Sequence, residues 1–186
     1  EGEEHSSFGD MDLGVEYRLF KKSKYAFSAT LTLGLPSGDS KGGSDGSYQT
    51  GDGEFNQELR FNAGTSFSLF KKSLYGKGYL GLNNKTENFS DEIRAGLETG
   101  TSFVGRKLLL LIRSTIVKSF KNGSLNASNS SGSIFANNVE FISVGGEVAW
   151  KFSKKLGVSF GYEGAISGKV IYAAPSYSGG VFYLLK

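Results

Sequence analysis

Cysteine is absent from this 186-residue chain, and histidine occurs once, as His5. Without thiols there is no disulfide framework, no thiolate nucleophile and no thiolate metal site. A single histidine gives no material for a His-based triad or a histidine metal cluster. His5 itself stands in a polar N-terminal stretch and is read as part of a tail. An excess of one charge is also missing: 21 basic residues face 18 acidic ones, for a net charge of +3. That balance gives no ground for nucleic-acid binding. No apolar run approaches the ~18 residues that a spanning helix needs; Leu108 to Ile112 is only strand-sized. Proline is scarce, with 2 residues, and hydrophobic residues make up only 38% of the chain. A soluble β-sandwich needs a stronger apolar core than this, whereas a transmembrane barrel needs only its outer face apolar.

What is plentiful is glycine and aromatic residues: 27 Gly, 15 Phe and 9 Tyr. This mixture favours strands and turns over helices. Alternation with period two runs through nearly the whole chain, sorting side chains onto two faces of a strand. Met11, Leu13, Val15, Tyr17 and Leu19 alternate with Asp12, Gly14, Glu16 and Arg18. Tyr25 to Leu35 repeats the pattern, and so does Leu59 to Leu69, with Arg60 on the polar side. Leu74, Leu80 and Leu82 share a face with Gly76 and Gly78, opposite Tyr75, Lys77 and Tyr79. Ile93, Ala95, Leu97 and Phe103 oppose Arg94 and Glu98, and Leu108, Leu110, Ile112 and Ile116 oppose Arg113. Ile142 to Phe152 places Glu147 on the polar side, and Val158 to Tyr162 does the same with Glu163. The last segment, about Ser176 to Lys186, groups Tyr177, Val181, Tyr183 and Leu185.

The pattern predicts about nine strands, most of about 12 to 16 residues, where soluble strands average ~5 to 6. A membrane-spanning strand takes ~9 to 11 residues plus overhang. The fold expected is therefore all-β, an antiparallel transmembrane β-barrel in a single domain over residues 1–186. Short turns rich in base follow alternate strands: Lys21-Lys22-Ser23-Lys24, Lys71-Lys72, Arg106-Lys107 and Lys154-Lys155. Long polar loops, Pro36 to Gly53 and Asn122 to Asn138, fall at the other end, with intermediate ones near Asn83 to Ser90 and Gly168 to Pro175. Outer-membrane barrels have this asymmetry, with short periplasmic turns and long external loops. Tyr25, Phe27, Phe67, Phe103, Trp150 and Phe152 sit near the short turns, as an aromatic girdle would. Strands one and nine run the same way, so they cannot close an antiparallel barrel by pairing directly. The chain is expected to be part of a barrel of about 10 or 12 strands, with an odd number preceding Glu1. The start at Glu1 without Met fits either an exported mature chain or a truncated one.

Nine charged residues fall on the expected lumen face: Glu16, Arg18, Arg60, Lys77, Arg94, Glu98, Arg113, Glu147 and Glu163. Two readings compete for them. They form a charged constriction that selects solutes, or a mixed-sign network that fills and stiffens the interior. A two-residue turn at Gly105-Arg106 would place Glu98 opposite Arg113 as an ion pair. The acidic, Gly-rich stretches Gly38 to Gly46 and Gly51 to Glu54 lack EF-hand spacing and read as an external loop rather than a calcium site. Five glycosylation sequons by letter, Asn84, Asn88, Asn122, Asn126 and Asn129, would be idle in a bacterial outer membrane. No metal, cofactor or catalytic residue is assigned, and no enzyme activity is expected.

Gly9-Asp10-Met11-Asp12-Leu13-Gly14-Val15-Glu16-Tyr17-Arg18-Leu19 resembles a strand of the meta-pathway phenol-degradation family of outer-membrane proteins, Gly-Asp-x-x-Leu-Gly-x-Lys-Tyr-Arg-Leu. Leu33 to Asp39, Thr50 to Phe55 and Ala173 to Tyr177 are similar to later parts of that family. Glu16 stands where the family commonly has Lys, and the chain ends in Leu185-Lys186 rather than an aromatic residue. The resemblance implies a bacterial outer-membrane location, further strands ahead of the Gly-Asp motif, and passage of small aromatic or apolar compounds. The function expected is a channel or uptake barrel for small molecules, with outer-membrane lipid as its surroundings. A plugged barrel that anchors protein partners at the cell surface is the second reading. A soluble ligand-binding β-barrel or sandwich is the third.

Overall fold

The computed structural model describes residues 7–42, 48–69, 71–124, 136–171 and 174–184. Nine strands make up one sheet, and no helix occurs among the described residues. They are β1 (Met11–Lys22), β2 (Tyr25–Leu35), β3 (Asn56–Leu69), β4 (Lys72–Lys85), β5 (Glu92–Phe103), β6 (Leu108–Ser119), β7 (Glu140–Lys151), β8 (Leu156–Lys169) and β9 (Ser176–Tyr183). Each pairs antiparallel with the next, in the order β1 to β9. The expected strand count is met, but the strands are somewhat shorter than the pattern suggested. The first eight run from 11 to 14 residues, and β9 has only 8.

Alternation decides which face each residue takes, and the pairing registers carry that choice across the sheet. Lys77 pairs with Glu98, Glu98 with Arg113 and Arg113 with Gly145, which in turn faces Glu163. Glu16 pairs with Thr30, which pairs with Arg60; Arg60 faces Gly81, and Gly81 faces Arg94. The side chains of one row lie on one face, so all nine charged candidates share the polar face. The other face carries Leu, Ile, Val, Phe and Tyr, many of them exposed, up to 75% at Val181. This inverts the usual arrangement. Glu58 and Asn62 on the polar face are buried, and the buried hydrophobic residues among those described number five. A single sheet can bury side chains on one face with no second layer only by curling around that face. The accessible surface, 12654 Å², is well above the roughly 8,700 Å² typical of a compact monomer of this mass.

Two departures from perfect alternation are local. The β1–β2 register shifts between Arg18 and Phe20, which lets Phe20 stack on Phe27 at a centroid separation of 4.5 Å. A second shift, between Ile142 and Ser143, bends the β7–β8 pair. Bulges of this kind increase twist, which helps a sheet curl. On the polar face, aromatic rings lie over glycines of the adjacent strand. Tyr79 pairs with Gly96 and Tyr75 with Gly100. A Cβ on Gly96 would come within 2.3 Å of the Tyr79 ring and 2.9 Å of the Ser114 carbonyl oxygen. The abundance of both residue types thus has a packing cause: the ring needs a floor with no side chain.

The β5–β6 turn is longer than the expected two residues. Phe103 pairs with Leu108, leaving Val104, Gly105, Arg106 and Lys107 outside the ladder. Val104, Gly105 and Arg106 all have positive φ, a left-handed run that reverses the chain. The register is the same as a two-residue turn would give, so Glu98 still faces Arg113. The loops at the other end are shifted slightly from expectation, because β4 continues to Lys85 and β3 begins only at Asn56. β1 and β9 run in the same direction and do not pair with each other, so the sheet is open. Gly96→Ala should destabilise the fold by ~1–3 kcal/mol, the usual cost of overpacking. Gly179→Ala, where a Cβ meets nothing within 4 Å, should be near neutral; denaturant unfolding of the two variants side by side measures the difference.

Candidate functional site

The polar face of the sheet is organised into two charge clusters. The upper one lies near the long loops. Arg60 Nη2 is 2.7 Å from Glu58 Oε1, and Arg60 Nε donates to the same oxygen over 2.8 Å. Glu58 is 4% exposed. Its other oxygen receives Arg94 Nη1 at 3.3 Å, across the intervening strand β4. Arg94 in turn clasps Glu92 through Nη2 at 2.7 Å and Nε at 3.0 Å. The crossing from β3 to β5 passes over Gly81, where a Cβ would lie 2.7 Å from Glu58 Oε1. The Arg60 guanidinium sits 4.0 Å from the Tyr79 ring centroid, which offsets part of its lost hydration.

The chain of charges continues into the loops. Lys85 Nζ stands among three carboxylates, at 3.4 Å from Glu54, 3.8 Å from Asp52 and 3.8 Å from Glu92. The Phe89 ring centroid lies 4.9 Å from the same ammonium. Glu54 is fully enclosed, and burial raises its pKa; burial also raises that of Asp52. Lys85 opposes both shifts but does not cancel them.

Asp91 is held differently. It accepts the Lys85 amide at 2.9 Å, Asn122 Nδ2 at 2.7 Å and Asn84 Nδ2 at 2.9 Å. These donors lower its pKa, the Lys85 amide most of all. Ser90 ties the same loop to the next one, with its amide donating to Asn137 Oδ1 and its hydroxyl to Asn138 Oδ1. Asn122, a sequon by letter, therefore clasps one loop to another, while Asn84 holds Asp91 within its own β4–β5 connection; Asn126 and Asn129 lie outside the described residues.

The lower cluster lies nearer the short turns. Arg113 Nη2 is 2.6 Å from Glu147 Oε2, and its Nε is 3.7 Å from Glu98 Oε2. Tyr75 donates its hydroxyl to Glu98 Oε1 over 2.9 Å. The expected Glu98–Arg113 pair thus exists, but as the weaker of the two ion pairs that Arg113 makes. Glu163 accepts from Ser143, and Glu16 from Ser28. Lys77 and Arg18 lie on the same face, in register with Glu98 and Ser28. Two depressions open between these groups. One, of about 320 Å³, is lined by Arg60, Tyr79, Lys85 and Arg94. The other, of about 360 Å³, is lined by Glu16, Asn62, Tyr75 and Lys77.

Sequence reasoning missed Glu58, Lys85 and Glu92, and placed Glu54 only in an acidic external loop. Glu58 and Glu92 were detectable, because each lies two residues from a charged residue of the same strand face. Glu54 comes from a loop, and no local signal marks it. Gly38-Asp39-Ser40-Lys41-Gly42 spells Gly-x-Ser-x-Gly, but it lies in the β2–β3 loop, whose described residues include no helix, so it is not read as a nucleophile elbow. Three of the four segments of the resemblance converge here, those that contain Asp10, Gly38 and Asp52. Asp10 accepts the Gly38 amide at 2.8 Å and the Asp52 amide at 3.0 Å, and Thr50 Oγ1 donates to the Phe8 carbonyl at 2.8 Å. Ser44 and Asp45 of the same loop, like His5, lie outside the described residues. Comparison with protein-family models and with curated proteins finds no match to this chain.

Glu58→Gln removes the carboxylate shared by two guanidinium groups and should cost ~1–3 kcal/mol in denaturant unfolding. A loss near zero would mean that water replaces the pair. The loop carboxylates are shifted in opposite directions, so their contributions to stability depend on pH with opposite sign. Asp91, with a lowered pKa, adds stability above its ordinary value of 3.8 that is lost as pH falls through the lower folded value. Asp52 and Glu54, with raised pKa values, add stability that is complete below 3.8 and 4.5 and is lost as pH rises through the higher folded values. Carboxyl-carbon NMR should therefore find Asp91 titrating below its ordinary value and the other two above theirs.

Proposed function

We propose that the sheet is the wall of a transmembrane β-barrel in a bacterial outer membrane, and that the barrel is a channel or uptake path for small molecules. One observation carries the reading. On the apolar face the charged strand residues, Lys22, Lys72, Lys118, Glu140 and Lys169, all stand at or next to a strand end. Every charged residue in a strand interior is on the opposite face. Each Arg or Lys facing lipid at mid-depth would cost ~2–4 kcal/mol, so lipid selects this pattern, whereas water would not. The height also fits. Leu59 to Leu69 spans ten residue steps, about 34 Å along the strand, and a tilt of ~40° brings this to about 26 Å, close to the ~25 Å apolar band of such barrels.

In this reading the basic turns face the periplasm and the clasped loops face outward. Closure takes an odd number of further strands, because β1 and β9 run in parallel. The two depressions on the polar face form part of the solute path, with Arg60, Arg94 and Arg113 beside it. Tyr75 and Tyr79 add aromatic surface, which suits the small aromatic or apolar solutes implied by the family resemblance. The ion pairing supports a second reading, in which the lumen is filled and the barrel serves as an anchor for partners.

Single-channel recording in planar bilayers separates the two. An open path predicts discrete ohmic steps, with reduced anion preference after Arg60→Gln, Arg94→Gln or Arg113→Gln. Silence from folded, inserted protein would leave the filled barrel as the better account.

A further inference from the structure

The apolar face is not uniformly covered. Between β3 and β7 it sinks into a depression of about 480 Å³. Its floor is made of small residues, Ala63, Gly76, Gly78, Thr99 and Ser114, which the registers bring into two adjacent rows. Phe67 leans over Gly76 and Leu97 over Gly78, where a Cβ would meet Phe67 Cε1 at 3.4 Å and Leu97 Cδ2 at 3.1 Å, and Ile112 stands beside Thr99. Leu97 and Ile112 are 71% and 63% exposed, so they stand up from the wall as ridges. The depression lies in the half of the wall nearer the short turns. The Phe67–Leu74 pair separates it from the strand ends Leu69 and Lys72. Lys72 projects from this same face, its ammonium 5.3 Å from the Phe103 ring centroid. Lys71, Arg106 and Lys107 occupy the two turns at this end of β3 to β6. No acidic residue lies in the four short turns or in the last four residues of any strand at that end.

An apolar trough leading to an unneutralised basic rim matches one kind of molecule. We propose that this part of the wall binds an anionic phospholipid, with an acyl chain lying against Phe67 and Leu97 where they lean over Gly76 and Gly78, and the phosphate at Lys72 and the neighbouring basic turns. The inference rests on the membrane reading. It adds that the wall selects one lipid class at one place. Chain and headgroup contribute separately. The trough supplies contact that a smooth wall of Leu and Phe would not, and the rim discriminates by charge. Each lysine near an anionic headgroup is worth about fivefold in binding.

The test uses the full chain, refolded in neutral detergent and mixed with equal amounts of phosphatidylglycerol and phosphatidylcholine bearing the same acyl chains. Native mass spectrometry should find phosphatidylglycerol retained preferentially. Lys72→Gln should cut that preference about fivefold. Gly76→Leu with Gly78→Leu, which fills the trough with side chains suited to a lipid-facing wall, should abolish retention of both lipids. Gly76→Leu alone should give a partial loss should the double variant refold poorly. Equal retention of the two lipids would overturn the proposal. So would displacement of phosphatidylglycerol by glycerol phosphate, because it would reveal an anion site that needs no chain. Insertion into phosphatidylcholine vesicles, read as protease protection, separates the two levels. Insertion without lipid preference removes the site and leaves the wall; failure to insert removes both.

Discussion

In-register antiparallel pairing from β1 to β9 is the constraint on which the rest depends. Side chains alternate between faces, so a slip of one residue at any pair would exchange the two faces of every strand beyond it. Lys77, Glu98 and Arg113 would then leave the polar face, and Leu97 and Ile112 would enter it. Uncompensated charge on one side and lost apolar surface on the other make such a slip costly. The two bulges are tolerated because each is absorbed within its own strand pair, with Phe20 stacking on Phe27 at the first.

The polar face solves a problem that this register creates. Curling brings arginines and carboxylates of several strands together, and their desolvation must be offset by pairing. The solution alternates signs: Arg60, Glu58, Arg94, Glu92, Lys85, Glu54. Glu58 binds two guanidinium groups only because Gly81 leaves the path across β4 clear. Tyr79 and Tyr75 settle over Gly96 and Gly100 for a related reason, so glycine and aromatic content are two halves of one packing device.

The two ends of the sheet differ in physical character. At the loop end, charges are paired, backbone amides are capped by Asp10 and Asp91, and successive loops are tied together through Ser90, Asn122, Asn137 and Asn138. At the short-turn end, the four basic turns have no acidic neighbours among the described residues. One end is neutralised from within, and the other leaves its charge to its surroundings. In the membrane reading, this difference suits an outer surface that must hold its shape and an inner rim that meets lipid phosphates.

The sequence by itself determined the strand number, the two faces and the placement of all nine charged candidates on one of them. These follow from a period of two, which is a local property of the chain. It also set Glu98 opposite Arg113, because a short turn fixes the register beyond it even when its length is misjudged by two residues. Which atoms meet was decided only by the tertiary structure. Arg113 turns mainly to Glu147, a residue 34 positions away, and Lys85 gathers Asp52 and Glu54 from a loop and Glu92 from another strand. Such choices depend on twist, on the curl of the sheet and on where long loops return, and none of these is carried by the alternation of neighbouring residues.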